Sequence, residues 1–176
     1  MRREVTRETL RELMKELART APSGESFRVY LVGGGTAVLA GWRASTIDAD
    51  LYAERDEVFG HIQAIKERLR LNVEFARPEH FVPALEGSPE RHVFIDRVGR
   101  IEFFHYDPYA QLFSKIVRGF RKDLDDAEQF VKSGMVEPHR FRELFETIPV
   151  AAWARHPNLS RPGVSAQVES FLATLE

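Results

Sequence analysis

Asp48 and Asp50 stand one residue apart in the stretch "TIDADLY", inside an otherwise apolar segment. In a strand, successive side chains alternate faces. Both carboxylates therefore project the same way, and Ile47, Ala49 and Leu51 are expected to face the core. Same-face neighbours sit about 6.6 Å apart along the backbone. From that spacing the carboxylates can converge on a hard cation, whose ligand oxygens lie at about 2.1 Å for magnesium. Two such ions about 3.5–4 Å apart can activate an attacking oxygen and stabilise a leaving phosphate. Without a cation the two acids repel, and one tends to keep its proton. Alone, the pattern equally fits two ordinary aspartates on a solvated strand face.

Upstream, "VGGGTA" places Gly33, Gly34 and Gly35 between an alternating apolar run and a short helical one. A glycine-rich turn that opens a helix exposes backbone N–H groups able to hold phosphate, and a side chain at Gly34 or Gly35 would block that approach. Thr36 adds a hydroxyl. The same residues also make a plain tight turn. The combination says more than either part: strand, Gly-Gly-Thr, short helix, then Arg43 and Ser45-Thr46 directly before D-x-D. Gly34, Gly35, Thr36, Arg43 and Thr46 are thus candidate nucleotide-binding residues, with Asp48 and Asp50 as candidate metal ligands.

A further charged group lies in "DPYAQLFSKIVRGFRKDLDDAEQFVKSG". Lys115 and Arg118 are three apart, so one helical face presents both, while Leu112, Phe113, Ile116 and Val117 supply the buried side. A lysine point charge suits a triphosphate, and arginine can add a fork. Solvated charges on helices account for the same residues.

Several chemistries are excluded or weakened. The chain has no cysteine, which removes disulfides, thiolate catalysis and cysteine-ligated zinc. Its six histidines show no H-E-x-x-H or paired spacing. No serine has a Gly-x-Ser-x-Gly context, and the glycine run lacks a P-loop lysine. The acids also arrive on the very next strand, too soon for a dinucleotide fingerprint. A net charge of −2 over 176 residues argues against tight, non-specific nucleic-acid binding. With no apolar run of signal or membrane-spanning length, the expected compartment is the cytoplasm.

Periodicity predicts a helix over 6–19, where Leu10, Leu13, Met14 and Leu17 share a face. Strands are predicted at 27–32, 46–53 and 71–76, and helices at 36–40 and 56–70. Residues 77–91 read as irregular, and the segments around Val98-Gly99 as a hairpin. From Asp107-Pro108, an N-cap with proline at the first position, only helices follow, at 108–119, 123–133, 138–147 and 163–175. The expected organisation is an α/β core over 1–106 and a helical part over 107–176 packed on it.

Taken together, "GGT", a spacer and "DAD" resemble the signature of the DNA polymerase β-like nucleotidyltransferase superfamily. The form "GGTAVLAGWRASTIDADLY" is similar to bacterial abortive-infection (AbiEii-like) toxin-type members, and the likeness extends through residues 27–134. The resemblance implies an α+β nucleotidyltransferase fold with a mixed sheet flanked by helices, plus the helical C-terminal extension. It also implies transfer of a nucleoside monophosphate from an NTP to a hydroxyl acceptor, with two magnesium ions. A third carboxylate belongs on a neighbouring strand; Glu74 in "NVEFA" is the match and Asp96 the runner-up. Lys115 is implied to contact phosphate, with Arg118 as a second basic residue of the nucleotide site, and an acid of the Asp123–Asp126 cluster is implied to be required as well. The implied acceptor is tRNA, another RNA or a protein, in a toxin–antitoxin setting with a cognate antitoxin. Nucleotidylation of a small molecule of the aminoglycoside type is an alternative. A non-catalytic nucleotide-binding module and a surface-binding protein with incidental acids also remain open.

Overall fold

The computed structural model describes residues 1–176, which divide into two compact units. The first comprises 1–77 and 93–106, the second 78–92 and 107–176. The second unit therefore takes in the 78–92 segment, which sequence grouped with the α/β core.

In the first unit, β1 (Val5–Thr6) leads into α1 (Arg7–Thr20). Thr6 caps α1 in a reciprocal box with Thr9, each hydroxyl serving the other residue's backbone N–H. The predicted Leu10, Leu13, Met14 and Leu17 face is buried. β2 (Phe27–Val32), α2 (Gly34–Ala40), β3 (Ser45–Thr46) and β4 (Asp48–Tyr52) follow. Gly41 ends α2 at φ 92°, a left-handed cap that glycine adopts without strain. The helix expected over 56–70 is divided. A 3₁₀ turn, Asp56–Phe59, precedes α3 (Ile62–Leu69), with Gly60 and His61 between them. β5 (Asn72–Phe75), β6 (Val93–Val98) and β7 (Ile101–His105) complete the unit.

The result is a mixed five-stranded sheet in the order β5-β4-β2-β7-β6. Strand β2 runs antiparallel to β4 and parallel to β7, and β4 is parallel to β5. One face carries Val29, Leu31, Ala49, Leu51, Val73 and Phe103, which pack with α1 and α3 into the core. Ile47 does not join them. It lies in a bend between β3 and β4 and is 72% exposed, because the strand alternation begins only at Asp48.

The second unit holds α4 (Pro108–Arg118), α5 (Arg121–Lys132), α6 (Pro138–Glu146), α7 (Val150–Trp153) and α8 (Arg161–Ala173). Helix α4 packs on α5 and α8, and Phe113, Phe130 and Phe141 are fully buried. Asp107 caps α4 by accepting from the Tyr109 N–H at 2.9 Å. Arg91, from the 78–92 segment, grips the same carboxylate with donors at 2.8 to 3.2 Å, and the Asp107 N–H donates to His92 Nδ1 at 2.9 Å. That clamp explains why 78–92 groups with the helices. No helix is long and apolar enough to cross a membrane.

Candidate functional site

The second face of the sheet carries the acids. Asp48 and Asp50 alternate with the buried Ala49 and Leu51, so the pair projects away from the core. Parallel pairing sets Glu74 beside Asp50 and Asn72 beside Asp48. Register partners share a face, so Asp48, Asp50 and Glu74 occupy one surface on two adjacent strands. Asn72 Nδ2 donates to Asp48 Oδ1 and fixes that carboxylate's direction. Glu74 is exposed.

Asp96 lies elsewhere. It sits within β6 at a register shift, rather than in the hairpin turn, and pairs across the sheet with Phe103, a core residue. Its carboxylate reaches Arg11 of α1 at 3.3 Å. It therefore faces the helix-covered side, opposite Asp50 and Glu74.

The glycine turn meets the acids at Gly33. This residue has φ 62°, a conformation that favours glycine. A Cβ there would stand 2.9 Å from Asp50 Oδ2, so the missing side chain is what lets the carboxylate lie against the turn. Gly34 is required for a different reason. A Cβ on it would run into the Thr46 side chain, whose own Cβ would be only 2.7 Å away. Thr46, a candidate nucleotide-binding residue, thus has a packing role against Gly34. Gly35 has only Leu10 within ordinary contact, at 3.9 Å.

Thr36 is fully buried and its hydroxyl points inward. Oγ1 donates to the Leu31 carbonyl at 3.3 Å, and His105 Nδ1 stands 3.1 Å away. With the hydroxyl hydrogen on Leu31, the imidazole Nδ1–H is the donor to Thr36. Burial pushes the His105 pKa from 6.5 down to about 4, so the ring is neutral near pH 7. Thr36 thus anchors the first turn of α2 to the end of β7. Arg43 is half-buried in the loop after α2, with its backbone N–H on the Ala37 carbonyl at 3.3 Å.

Lys115 is buried in the second unit. Its Nζ lies 2.8 Å from Asp126 Oδ2 and 3.8 Å from Asp123 Oδ1, and Arg118 approaches Asp123 at 3.4 Å. The basic residues expected at phosphate and the acids of the Asp123–Asp126 cluster meet one another and tie α4 to α5. Sequence separation hid this because the partners are on different helices.

The donor set on the open sheet face is entirely carboxylate oxygen, which suits a hard cation. The space that a Gly33 Cβ would fill, beside Asp50, adds a cradle. No three acidic, histidine or cysteine side chains converge as a ready metal cluster, so Asp48 and Asp50 form the fitting pair and Glu74 must turn inward to join them.

Sequence reading missed Asn72 and His105 as parts of this arrangement, and placed Gly33 in the turn without its contact with Asp50. A signal existed for the first two. Asn72 is two residues from Glu74 and so shares its face. His105 continues the buried alternation of Ile101 and Phe103. No curated protein and no solved structure matches the chain. A family model described as "Nucleotidyltransferase of unknown function" matches residues 8–156, most of the sequence and the whole of the acid-and-glycine face. The chain belongs to that nucleotidyltransferase family, DUF6036.

Proposed function

We propose that the protein transfers a nucleoside monophosphate from an NTP to a hydroxyl acceptor, on a polymerase β-like fold and with magnesium. The observation that carries this reading is the seating of Asp50 against Gly33, with Glu74 in register beside it. It brings a carboxylate pair and a glycine turn to one surface. Family membership supplies the reaction class.

Asp48 and Asp50 would hold the cation, with Asn72 keeping Asp48 directed. When bound, magnesium would offset charge on the triphosphate and on the departing pyrophosphate. First-turn amide groups at Gly34 and Gly35, free of intrahelical carbonyl partners, suit phosphate oxygens. Thr36 and His105 hold that turn in place from behind. The acceptor oxygen forms a bond to the α-phosphorus, the bond to the pyrophosphate oxygen breaks, and the acceptor proton passes to Glu74. Lys115, neutralised by Asp126 and Asp123, serves this reading as a structural tie.

The test is incubation with each labelled NTP, magnesium and cell lysate, followed by separation of label on RNA, protein and small molecules. The expected result is one labelled class that disappears with EDTA and in Asp50→Asn. Label that persists at the wild-type level in both Asp48→Asn and Asp50→Asn would sink this site.

A further inference from the structure

A row of rings crosses four strands on the face that carries Asp50. Tyr52, Tyr30, Phe104 and Phe94 occupy matching positions on β4, β2, β7 and β6. Their centroids step across the sheet at 6.0, 5.6 and 5.6 Å. The inner end is closed. Tyr106 stands edge-on to both tyrosines, at 5.8 and 5.9 Å, and Tyr30 is 4% exposed. The outer end is open, for Phe94 is 55% exposed on the edge strand.

Beside that open end, the Arg28 guanidinium lies 5.5 Å from the Phe104 ring centroid. Its side chain is 65% exposed and pairs loosely with Glu102, at 3.7 Å. An exposed phenylalanine on an edge strand is an aggregation hazard for a protein that has no use for it. An exposed aromatic ring beside an arginine, on a sheet, suits a nucleobase: every base has a π-face, and the cation can meet the neighbouring phosphate.

We propose that this face is a stacking platform for a single-stranded nucleic acid, the acceptor strand of the transfer reaction. The acceptor role rests on the nucleotidyltransferase reading; the binding role does not. Bases stack at Phe94, whose ring meets the half-buried Phe104 edge-on at 75°, and Arg28, over the Phe104 ring, meets the backbone. Phe94 is three strands and one side-chain row from Asp50, about 16 Å. An extended strand of a few nucleotides covers that distance, so the stacked bases lie a few positions in from the reacting hydroxyl. A duplex cannot splay its bases onto the rings and is a poor ligand. Net charge of −2 provides no general attraction for polyanions, so affinity depends on this local group.

The test is fluorescence anisotropy with a labelled, unstructured RNA of about 12 nucleotides, within the usual site size for such platforms, and with a duplex of the same length. Wild type is expected to prefer the single strand. Phe94→Ala should weaken binding by about 5-fold or more, the scale of one lost stacked base. The variant should stay folded with at most a modest fall in melting temperature, because the ring is 55% exposed and loses only its edge-on contact with Phe104. Arg28→Ala should weaken binding and lower the salt slope by about 0.7. Asp50→Asn should bind RNA as wild type does. Failure of wild type to bind the single strand, equal binding of the duplex, or unaltered binding by Phe94→Ala would overturn the platform. RNA binding that depends on Phe94, with no labelled product from any NTP, would keep the platform and remove the transferase reading. Labelled protein or small molecule without RNA binding would do the reverse.

Discussion

Acidification should loosen the glycine turn through His105. The ring is 8% exposed, and burial holds its pKa at about 4 against an ordinary 6.5. Between those values the unfolded chain binds a proton that the folded protein resists. Stability therefore rises with pH across the window: the His105 contribution is complete above 6.5 and is lost as pH falls through about 4. The full contribution is worth about 3 kcal/mol, and about 2 kcal/mol of it is gone by about pH 5. The assay is urea unfolding of wild type and His105→Gln at about pH 8 and about pH 5. Other titrating groups contribute equally to both proteins, so the quantity to compare is the pH loss in each. Wild type should lose about 2 kcal/mol more than the variant. Equal losses, within about 0.5 kcal/mol, would refute the buried neutral ring as the source.

Five other outcomes follow from the geometry. Gly34→Ala should destabilise by about 1–3 kcal/mol in thermal unfolding, through collision with Thr46. Gly35→Ala, with only an ordinary contact to Leu10, should be neutral or stabilising by up to about 1 kcal/mol, so any loss of NTP binding there reports phosphate approach. Lys115→Met should cost about 3–5 kcal/mol by denaturant titration, since it removes the 2.8 Å cationic partner of the buried Asp126, while Asp123 keeps Arg118; unaltered stability would contradict the tie. Glu74→Gln should lower transfer by about 100-fold with NTP binding retained. Asp96→Asn, on the α1 side, should leave transfer intact and cost at most about 1 kcal/mol from its exposed pair with Arg11.

Most elements of the first unit were legible because local signals agreed. The apolar face of 6–19 and the alternation at 27–32 each pointed to one structure, and the structure has it. The division near Gly60 was not legible, since Val58, Phe59, Ile62 and Ile65 keep a helical period across the break. Side-chain direction within a known strand was readable for Asp48 and Asp50 but not for Ile47, which depends on where the strand begins. Pairing was beyond the reach of local signals, and only the resemblance put Glu74 on a strand neighbouring the aspartates. That Glu74 faces Asp50, that Asp96 faces Arg11, and that Lys115 is neutralised by Asp126 are decisions of register and helix packing, made by residues far apart in sequence.

Residues 78–92 also limit how this chain can be taken apart. The chain enters the helical unit at 78, leaves it at 93, and re-enters at 107. A fragment beginning at 107 would carry Asp107, which is fully buried, without the Arg91 and His92 that satisfy it. A fragment ending at 106 would carry a 15-residue excursion, 78–92, stripped of the helices it belongs with. No single cut yields two whole halves. During synthesis the helical unit must wait for residues beyond 107 before its first-made segment finds a partner, so recombination between relatives would have to exchange both pieces together.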